Sequence, residues 1–329
     1  MTEQLLLSIV DVLIIGAGPA GLSAALTLAR QRHTAVIFDS GSYRCDPARE
    51  FNIIPTWEHK TPQEYLASAR KEVLKYETVQ LKAVEVLGLT RDEEQGVFEA
   101  RDIGGTIYKG KKVIIASGVQ NIYPDIAGYE DCWGKGIFHC LFCHGYEQSS
   151  KANLSAGVLA VHMLAMPAFA LHMAHMAAQL APSRVTIYTD GNETLAQEVK
   201  AKSGLQPAWK TDNRKIRALR MHDTTDKQSS GVDISFEDGS KVTEGLLAHA
   251  PLTKARGPWA EQLGLAMTPM GDYEAKPPVF ETSVKGVYAA GDCMTPFKVA
   301  ANAIANGSVA GSGVAIRLQE EKHGLEPIF

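Results

Sequence analysis

Cys140-Leu141-Phe142-Cys143, with His139 before it and His144 after it, is the part of this 329-residue chain best equipped for chemistry. Two thiols so close in sequence can close into a disulfide and exchange it with other thiols, the thiolate being the nucleophile. A pair that opens a helix has its thiol pKa lowered, and Gly145-Tyr146-Glu147 reads as such a helix start. An imidazole titrates near neutral pH, so His144 and, after it, His139 are the candidate proton carriers. Zinc would need two further ligands at tight spacing. Cys132, His139 and His144 can be nominated, but there is no second CxxC and no HxxxH, so no metal is expected. Cys45, Cys132 and Cys293 show no pairing pattern and read as small buried apolar residues. His162-Met163, Met166, His172-Met173 and His175-Met176 resemble soft-metal ligands, yet a helix that fills core gaps with methionine accounts for them.

Two further signatures bracket the chain. Gly16-Ala17-Gly18-Pro19-Ala20-Gly21 stands between an apolar strand, Val10–Ile15, and a helical pattern over Ala20–Arg30, and a second strand, Ala35–Phe38, closes on Asp39. The glycines of such a βαβ unit permit a tight turn, a close approach to pyrophosphate and close helix–strand packing. The helix N-terminus offers amides and a positive dipole end to the phosphates, and Asp39 would accept the ribose hydroxyls. Near the other end, the strand Gly286–Ala290 runs into Gly291-Asp292, with a helix near Val299–Leu318. Asp292 would bond a ribityl chain, and amides near Val299 and Ala300 would face the pyrimidine end of a flavin. Together these specify FAD, with Gly16, Gly18, Pro19, Ala20, Gly21, Asp39, Ser40, Ala116, Gly118, Gly291, Asp292, Val299 and Ala300 as the candidate contacts.

A chain that took hydride from a nicotinamide would need a second glycine loop after the dithiol. Here the sequence reads Gly157-Val158-Leu159-Ala160-Val161-His162-Met163-Leu164-Ala165-Met166-Pro167, whose side chains from Val161 to Met166 would crowd a pyrophosphate. No arginine cluster follows the next strand; Asp190 is the one acid placed to hold a ribose there. A flavin and a dithiol without a hydride donor imply electrons running from substrate thiols through the flavin to oxygen.

The elements around these motifs give an α/β fold. Residues 80–112 alternate apolar and polar positions around turns at Asp92–Gly96 and Ile103–Gly105, an antiparallel meander, and Lys112–Ala116 is a further buried strand. A strand at Gly157–Ala160, a helix near Ala168–Leu180 and a strand at Val185–Tyr188 form a second unit. The expected layout is two Rossmann-like domains, the second inserted in the first and lacking a nicotinamide-binding loop. Residues 1–125 and 248–329 would form the FAD domain and 126–247 the dithiol domain. With 45% hydrophobic and 21% charged residues the composition is that of a soluble enzyme, and a net charge of −4 gives no basis for nucleic-acid or anionic-membrane binding. The leading residues lack a basic n-region and no apolar run is long enough to span a bilayer, so a cytoplasmic protein is expected.

The order GAGPAG, CxxC, YAAGDC resembles the low-molecular-weight thioredoxin reductase family over nearly the whole chain. Phe38-Asp39-Ser40-Gly41 with Tyr43-Arg44, His139–Cys143 with Gly145-Tyr146-Glu147, and Pro277–Val284 are similar to one branch in particular. That branch comprises the FAD-dependent dithiol oxidases of gliotoxin-oxidase type, which close disulfides in epidithiodiketopiperazines, and related bacterial oxidases of holomycin-type dithiols. Thioredoxin reductases carry an aspartate directly after the second cysteine, where this chain has His144. The resemblance implies that Cys143 is the flavin-proximal thiol, that Cys140 exchanges with substrate, and that Asn52 lies near the flavin ring. It implies a homodimer acting on a small dithiol and oxygen, releasing peroxide and protecting a producer from its own metabolite. The competing expectations are a reductase fed by NADPH or another donor, and a flavin-binding protein without turnover.

Overall fold

The computed structural model describes residues 9–149, 154–182, 184–203, 209–223 and 230–329; Met1–Ser8, read for a leader, lie outside them. The chain divides into two units, one made of the segment up to Asp46, Thr61–Gln120 and Thr253–Phe329, the other of Pro47–Lys60 and Asn121–Leu252. The expected boundaries at 125 and 248 fall close to these. Pro47–Lys60, expected with the first unit, packs in the second, where Phe51 bridges Lys60 and Asn52 bonds the cysteine loop.

The first unit opens with β1 (Val10–Ile15), α1 (Pro19–Arg30), β2 (Ala35–Phe38), α2 (Pro62–Val73), β3 (Val79–Lys82), β4 (Val86–Asp92), β5 (Val97–Asp102) and β6 (Ile107–Ile115). β1 lies between β2 and β6, parallel to both, and β3 extends the sheet beyond β2. The meander and the buried strand expected at Lys112–Ala116 share one element. β6 alternates in burial over Ile107–Lys111, where it pairs with β5, and is buried throughout Lys112–Ile115, where it runs beside β1.

The chain leaves through β7 (Val119–Ile122) into α3 (Tyr129–Cys132), β8 (Ile137–Phe138), α4 (Tyr146–Ser149), β9 (Ser155–Leu159), α5 (Pro167–Leu180), β10 (Arg184–Tyr188), α6 (Glu193–Ser203) and β11 (Trp209–Asp212). β12 (Ile216–Met221), β13 (Val232–Phe236), β14 (Lys241–Glu244) and β15 (Leu246–Ala248) follow. The order β11-β10-β9-β15-β8 makes a five-stranded parallel sheet, with β12-β13-β14 as a separate antiparallel one. α5 turns Ala170, Ala174 and Ala177 into the core, while Met173 and Met176 pack on its edge and His172 and His175 face outward. His175 stands edge-on to Trp209. Met173 and Met176 therefore fill around the core, as their helical spacing implied, whereas Met166, before α5, is exposed. Beside this core, Nδ1 of the 0%-exposed His249 and the Tyr129 hydroxyl share a hydrogen bond of 2.5 Å.

The return through β16 (Leu252–Ala255) leads to α7 (Trp259–Leu263), β17 (Ala275–Lys276), β18 (Glu281–Thr282), β19 (Val287–Ala289) and α8 (Ala300–His323). β19 joins β6 in parallel and completes a nine-stranded sheet. α8 runs one turn beyond the expected Leu318, with Gly324 in the left-handed region closing it. It crosses α1 at small residues: a Cβ on Gly307 would stand 2.0 Å from the Ala20 carbonyl oxygen, and one on Gly311 2.9 Å from that of Ala24.

Gly307→Ala sets about 1 kcal/mol of helix propensity against a collision with backbone that cannot rotate away. Overpacking costs about 1–3 kcal/mol, so a lower Tm is expected; an unchanged or higher Tm would refute the close crossing. His249 makes a pH-dependent contribution. Burial, aided by the neighbouring His162 and opposed by the Val161 carbonyl, pushes its pKa down to about 3. The unfolded imidazole titrates near 6.5, so the folded state binds fewer protons between these values. Its stability contribution is full above about pH 6.5 and is lost progressively toward pH 3. Urea unfolding of His249→Gln at falling pH should show a shallower acid loss than the parent protein.

Candidate active site

Cys140 and Cys143 form a disulfide in the turn between β8 and α4. They do not open the helix as expected. Gly145, at φ +107°, turns the chain between Cys143 and α4, so the helix end is not applied to either sulfur. A local donor takes that place: the Cys143 amide lies 3.1 Å from Cys140 Sγ and also donates to the Cys140 carbonyl at 3.2 Å. An amide at that distance stabilises a Cys140 thiolate whenever the disulfide opens.

The two histidines are packed, one on each side of the turn. His139 stacks on Trp133 with ring centroids 5.5 Å apart, and His144 stacks on Phe138 at 4.9 Å. Burial lowers the pKa of His144, with Glu147 and then Glu50 acting the other way, so the ring is held neutral yet near carboxylates. Asn52 is buried here, its amide nitrogen donating to the Cys143 carbonyl at 2.9 Å and to Glu147 Oε1 at 3.2 Å. Its oxygen accepts the His59 amide, and His59 Nδ1 lies 3.2 Å from Glu50. Phe142 and Tyr146 expose most of their rings around the disulfide.

The first unit brings the two bracketing signatures together. A Cβ on Gly16, at φ +111°, would meet the Ala116 carbonyl oxygen at 2.4 Å. One on Gly21 would meet the Gly16 carbonyl oxygen at 1.9 Å, and one on Gly291 would meet Ala20 Cβ at 2.8 Å. By contrast, Cβ atoms on Gly18 and Gly118 would meet nothing within 4 Å. Gly18 precedes Pro19 as an N-cap without a side-chain bond, and Val299 precedes Ala300 in the same way, so both helix starts keep amides free of side-chain caps. Packed walls with open space at Gly18 and Gly118 are the cradle that a dinucleotide pyrophosphate fits.

The buried carboxylate of Asp39 accepts the Gly41 amide at 2.9 Å and Arg70 at 2.8 Å, with the Tyr43 hydroxyl in close contact; Ser40 beside it is exposed. Asp292 pairs with Arg44 at 3.2 Å. The loop from Asp292 to α8 is pinned by Lys298, whose ammonium reaches Asp272 at 2.6 Å and the carbonyls of Asp292 and Thr295. Sequence reasoning missed Arg70, Lys298 and Asp272 because no local spacing links them. Cys132 and Cys293 are buried as expected, but Cys45 is only half-buried. Burial pushes the thiol pKa up in all three, to about 11 in Cys132 and about 12 in Cys45 and Cys293, so none is a ready nucleophile.

Between β9 and α5 stands a single turn of 3₁₀ helix, His162–Ala165, after which α5 begins on Pro167. At the end of β10 Asp190 is already engaged, with Lys215 at 2.7 Å and the Ile216 amide at 2.8 Å.

The model of the pyridine nucleotide-disulphide oxidoreductase family matches residues 10–307. The chain belongs to this family. It is 42% identical over 324 residues to the thioredoxin reductase tcpT of Claviceps purpurea, covering 98% of each chain. It is 42% identical over 312 residues to the thioredoxin reductase aclD of Aspergillus oryzae, covering 94% of this chain and 96% of that one. A solved oxidoreductase from Agrobacterium tumefaciens superposes with a TM-score of 0.82 at 28% identity, covering 95% of this chain and 99% of the other. The resemblance to thioredoxin-reductase-like flavoproteins and the two-unit α/β architecture are thereby borne out, and FAD is the cofactor. Among the described residues no helix is long and apolar enough to cross a membrane.

Asp272 and Lys298 are 5% and 9% exposed, so removing one partner strands a buried charge. Lys298→Met should lower stability by about 3 kcal/mol and release FAD more readily on dilution. Asp272→Leu/Lys298→Met should recover most of the stability. Equal losses in the single and double variants would show that the ion pair does not hold this loop.

Proposed function

We propose that this flavoprotein oxidises a small dithiol to its intramolecular disulfide, with dioxygen as final electron acceptor and hydrogen peroxide as product. The observation that carries the reading is the β9–α5 connection. In a family named for pyridine nucleotides, the β9–α5 connection of this chain carries no glycine and folds as a 3₁₀ turn, His162–Ala165, while the Cys140–Cys143 disulfide is present.

A substrate thiolate attacks Cys140 Sγ, the Cys140–Cys143 bond breaks, and Cys143 leaves as a thiolate. The second substrate thiol then attacks the substrate sulfur of the mixed disulfide, closing the product and releasing Cys140. The Cys143 amide, 3.1 Å from Cys140 Sγ, stabilises that leaving thiolate. His144, neutral in its stack on Phe138, takes the proton of the incoming thiol, and His139 is the second acid–base group. FAD, when bound, would supply the two-electron acceptor that reoxidises Cys140 and Cys143 and the route from there to dioxygen. Gly16, Gly18, Pro19, Ala20, Gly21, Asp39, Ser40, Asn52, Ala116, Gly118, Gly291, Asp292, Val299 and Ala300 hold it in this reading. The protein works as a cytoplasmic homodimer in secondary metabolism, closing epidithiodiketopiperazine-type dithiols and so masking their reactivity. The names of the relatives favour a second reading, a disulfide reductase fed by NADPH or another donor.

Anaerobic mixing separates the two. The flavin band should bleach with a small reduced dithiol, stay oxidised with NADPH or NADH, and return with peroxide on admission of air. Rapid bleaching by NADPH would overturn the oxidase. Cys143→Ser should abolish repeated turnover, and retention of it would refute the dithiol relay.

A further inference from the structure

In the reading above His144 carries the proton of the dithiol chemistry, and its side chain stacks on Phe138, 4.9 Å between centroids. The peptide groups on either side of it are held by something else. The carbonyl before it, on Cys143, accepts the Asn52 side-chain amide at 2.9 Å. The amide after it, on Gly145, donates to Glu147 Oε2 at 3.2 Å. Asn52 and Glu147 are themselves joined, Asn52 Nδ2 to Glu147 Oε1 at 3.2 Å. The loop that carries Asn52 is anchored in turn, since Asn52 Oδ1 accepts the His59 amide at 3.2 Å and the chain pairs across Phe51 and Lys60.

We infer that Asn52 and Glu147 form a clamp that positions His144 for proton transfer at the Cys140–Cys143 disulfide, Glu147 acting as both a strut and the carboxylate that faces the ring. Both are positioning residues, since neither is placed against the sulfurs. Asn52 is suited to the strut because its amide offers donors and an acceptor together, and the clamp uses both kinds. Glu147 is suited because two carboxylate oxygens accept from two directions at once. A glutamine at 147 keeps only one acceptor oxygen and turns an NH₂ toward the Asn52 amide, donor against donor. The charged groups that face His144 are Glu147 from α4 and Glu50 from the Pro47–Lys60 segment. Both favour the protonated ring against burial, so removing Glu147 moves the titration of His144 to lower pH.

The inference rests on the reading of His144 as proton carrier and not on the identity of the final electron acceptor. It is therefore tested by a step that uses neither oxygen nor nicotinamide. Dithiothreitol is added anaerobically to the FAD-loaded protein, and the opening of Cys140–Cys143 is followed by alkylation of the released thiols across a pH series. Glu147→Gln and Asn52→Ala should each slow opening by about tenfold, and Glu147→Gln should shift the lower limb of the pH profile downward. In a His144→Asn background, where opening is already slow, Glu147→Gln should add nothing. A wild-type rate and profile in Glu147→Gln would overturn the clamp. So would an equal loss from Glu147→Gln with and without His144, which would mean a structural role elsewhere. Should Glu147→Gln fail to fold, Asn52→Ala in the two backgrounds decides by the same criterion. If the clamp stands here while NADPH bleaches the flavin, only the oxidase reading falls.

Discussion

The crossing of α1 and α8 sets the limits for everything in the first unit. With the Ala20 carbonyl oxygen 2.0 Å from where a Gly307 Cβ would stand, the two helices touch backbone to backbone. That contact fixes α1 from the side opposite its sheet, and α1 carries the glycine turn at its N-terminus. The same contact line continues to Gly291, whose Cβ would meet Ala20, so a motif near residue 20 and another near residue 291 become neighbours. Neither motif is a complete dinucleotide site alone. Gly16–Gly21 offers amides and an open approach at Gly18, while Asp292 and the start of α8 supply groups for the other end of a long cofactor. The helix crossing makes them one surface.

The second unit has the frame of a dinucleotide-binding domain. Its parallel sheet has the strand–helix–strand order β9-α5-β10, and ligands in such sheets bind beyond the carboxyl ends of the strands. At that edge the connection after β9 is free of glycine, and polar groups are used internally: Asp190 accepts from Lys215 and the Ile216 amide, and buried His249 is bonded to Tyr129. Ala170, Ala174 and Ala177 build the core on the other side of α5 from that edge, so the packing of the sheet does not rest on the groups there. Stability and ligand binding reside at different places on the same sheet.

Most of the framework was legible because it is encoded locally. The apolar runs of β1, β2 and β6, the glycine turn after β1 and the Asp39 that ends β2 are periodicity and turn chemistry, and the comparisons agree with the fold they imply. What escaped was encoded by distance. The Lys298–Asp272 ion pair, the contact of Arg70 with Asp39, and the return of Pro47–Lys60 to the cysteine loop each join segments that share no spacing rule. The helix expected at the cysteines failed for a local reason that spacing alone conceals. Gly145 was visible as a glycine, but not its φ of +107°, which turns the chain before α4 begins.

The presence of a histidine directly after Cys143 makes sense in the charge balance of the proposed reaction. The attacking species is a thiolate, and each exchange step expels another thiolate within the same turn. A carboxylate in that place would add a fixed negative charge beside both, and two like charges at close range in a half-buried site repel strongly. A neutral imidazole removes this repulsion and can still take the proton that the substrate thiol must lose. Burial against Phe138 keeps the ring neutral. The carboxylate near the ring is that of Glu147, which accepts two hydrogen bonds, from Gly145 and Asn52. Held there, it orients the turn, and the imidazole that has taken the thiol proton stands as a cation beside the substrate thiolate.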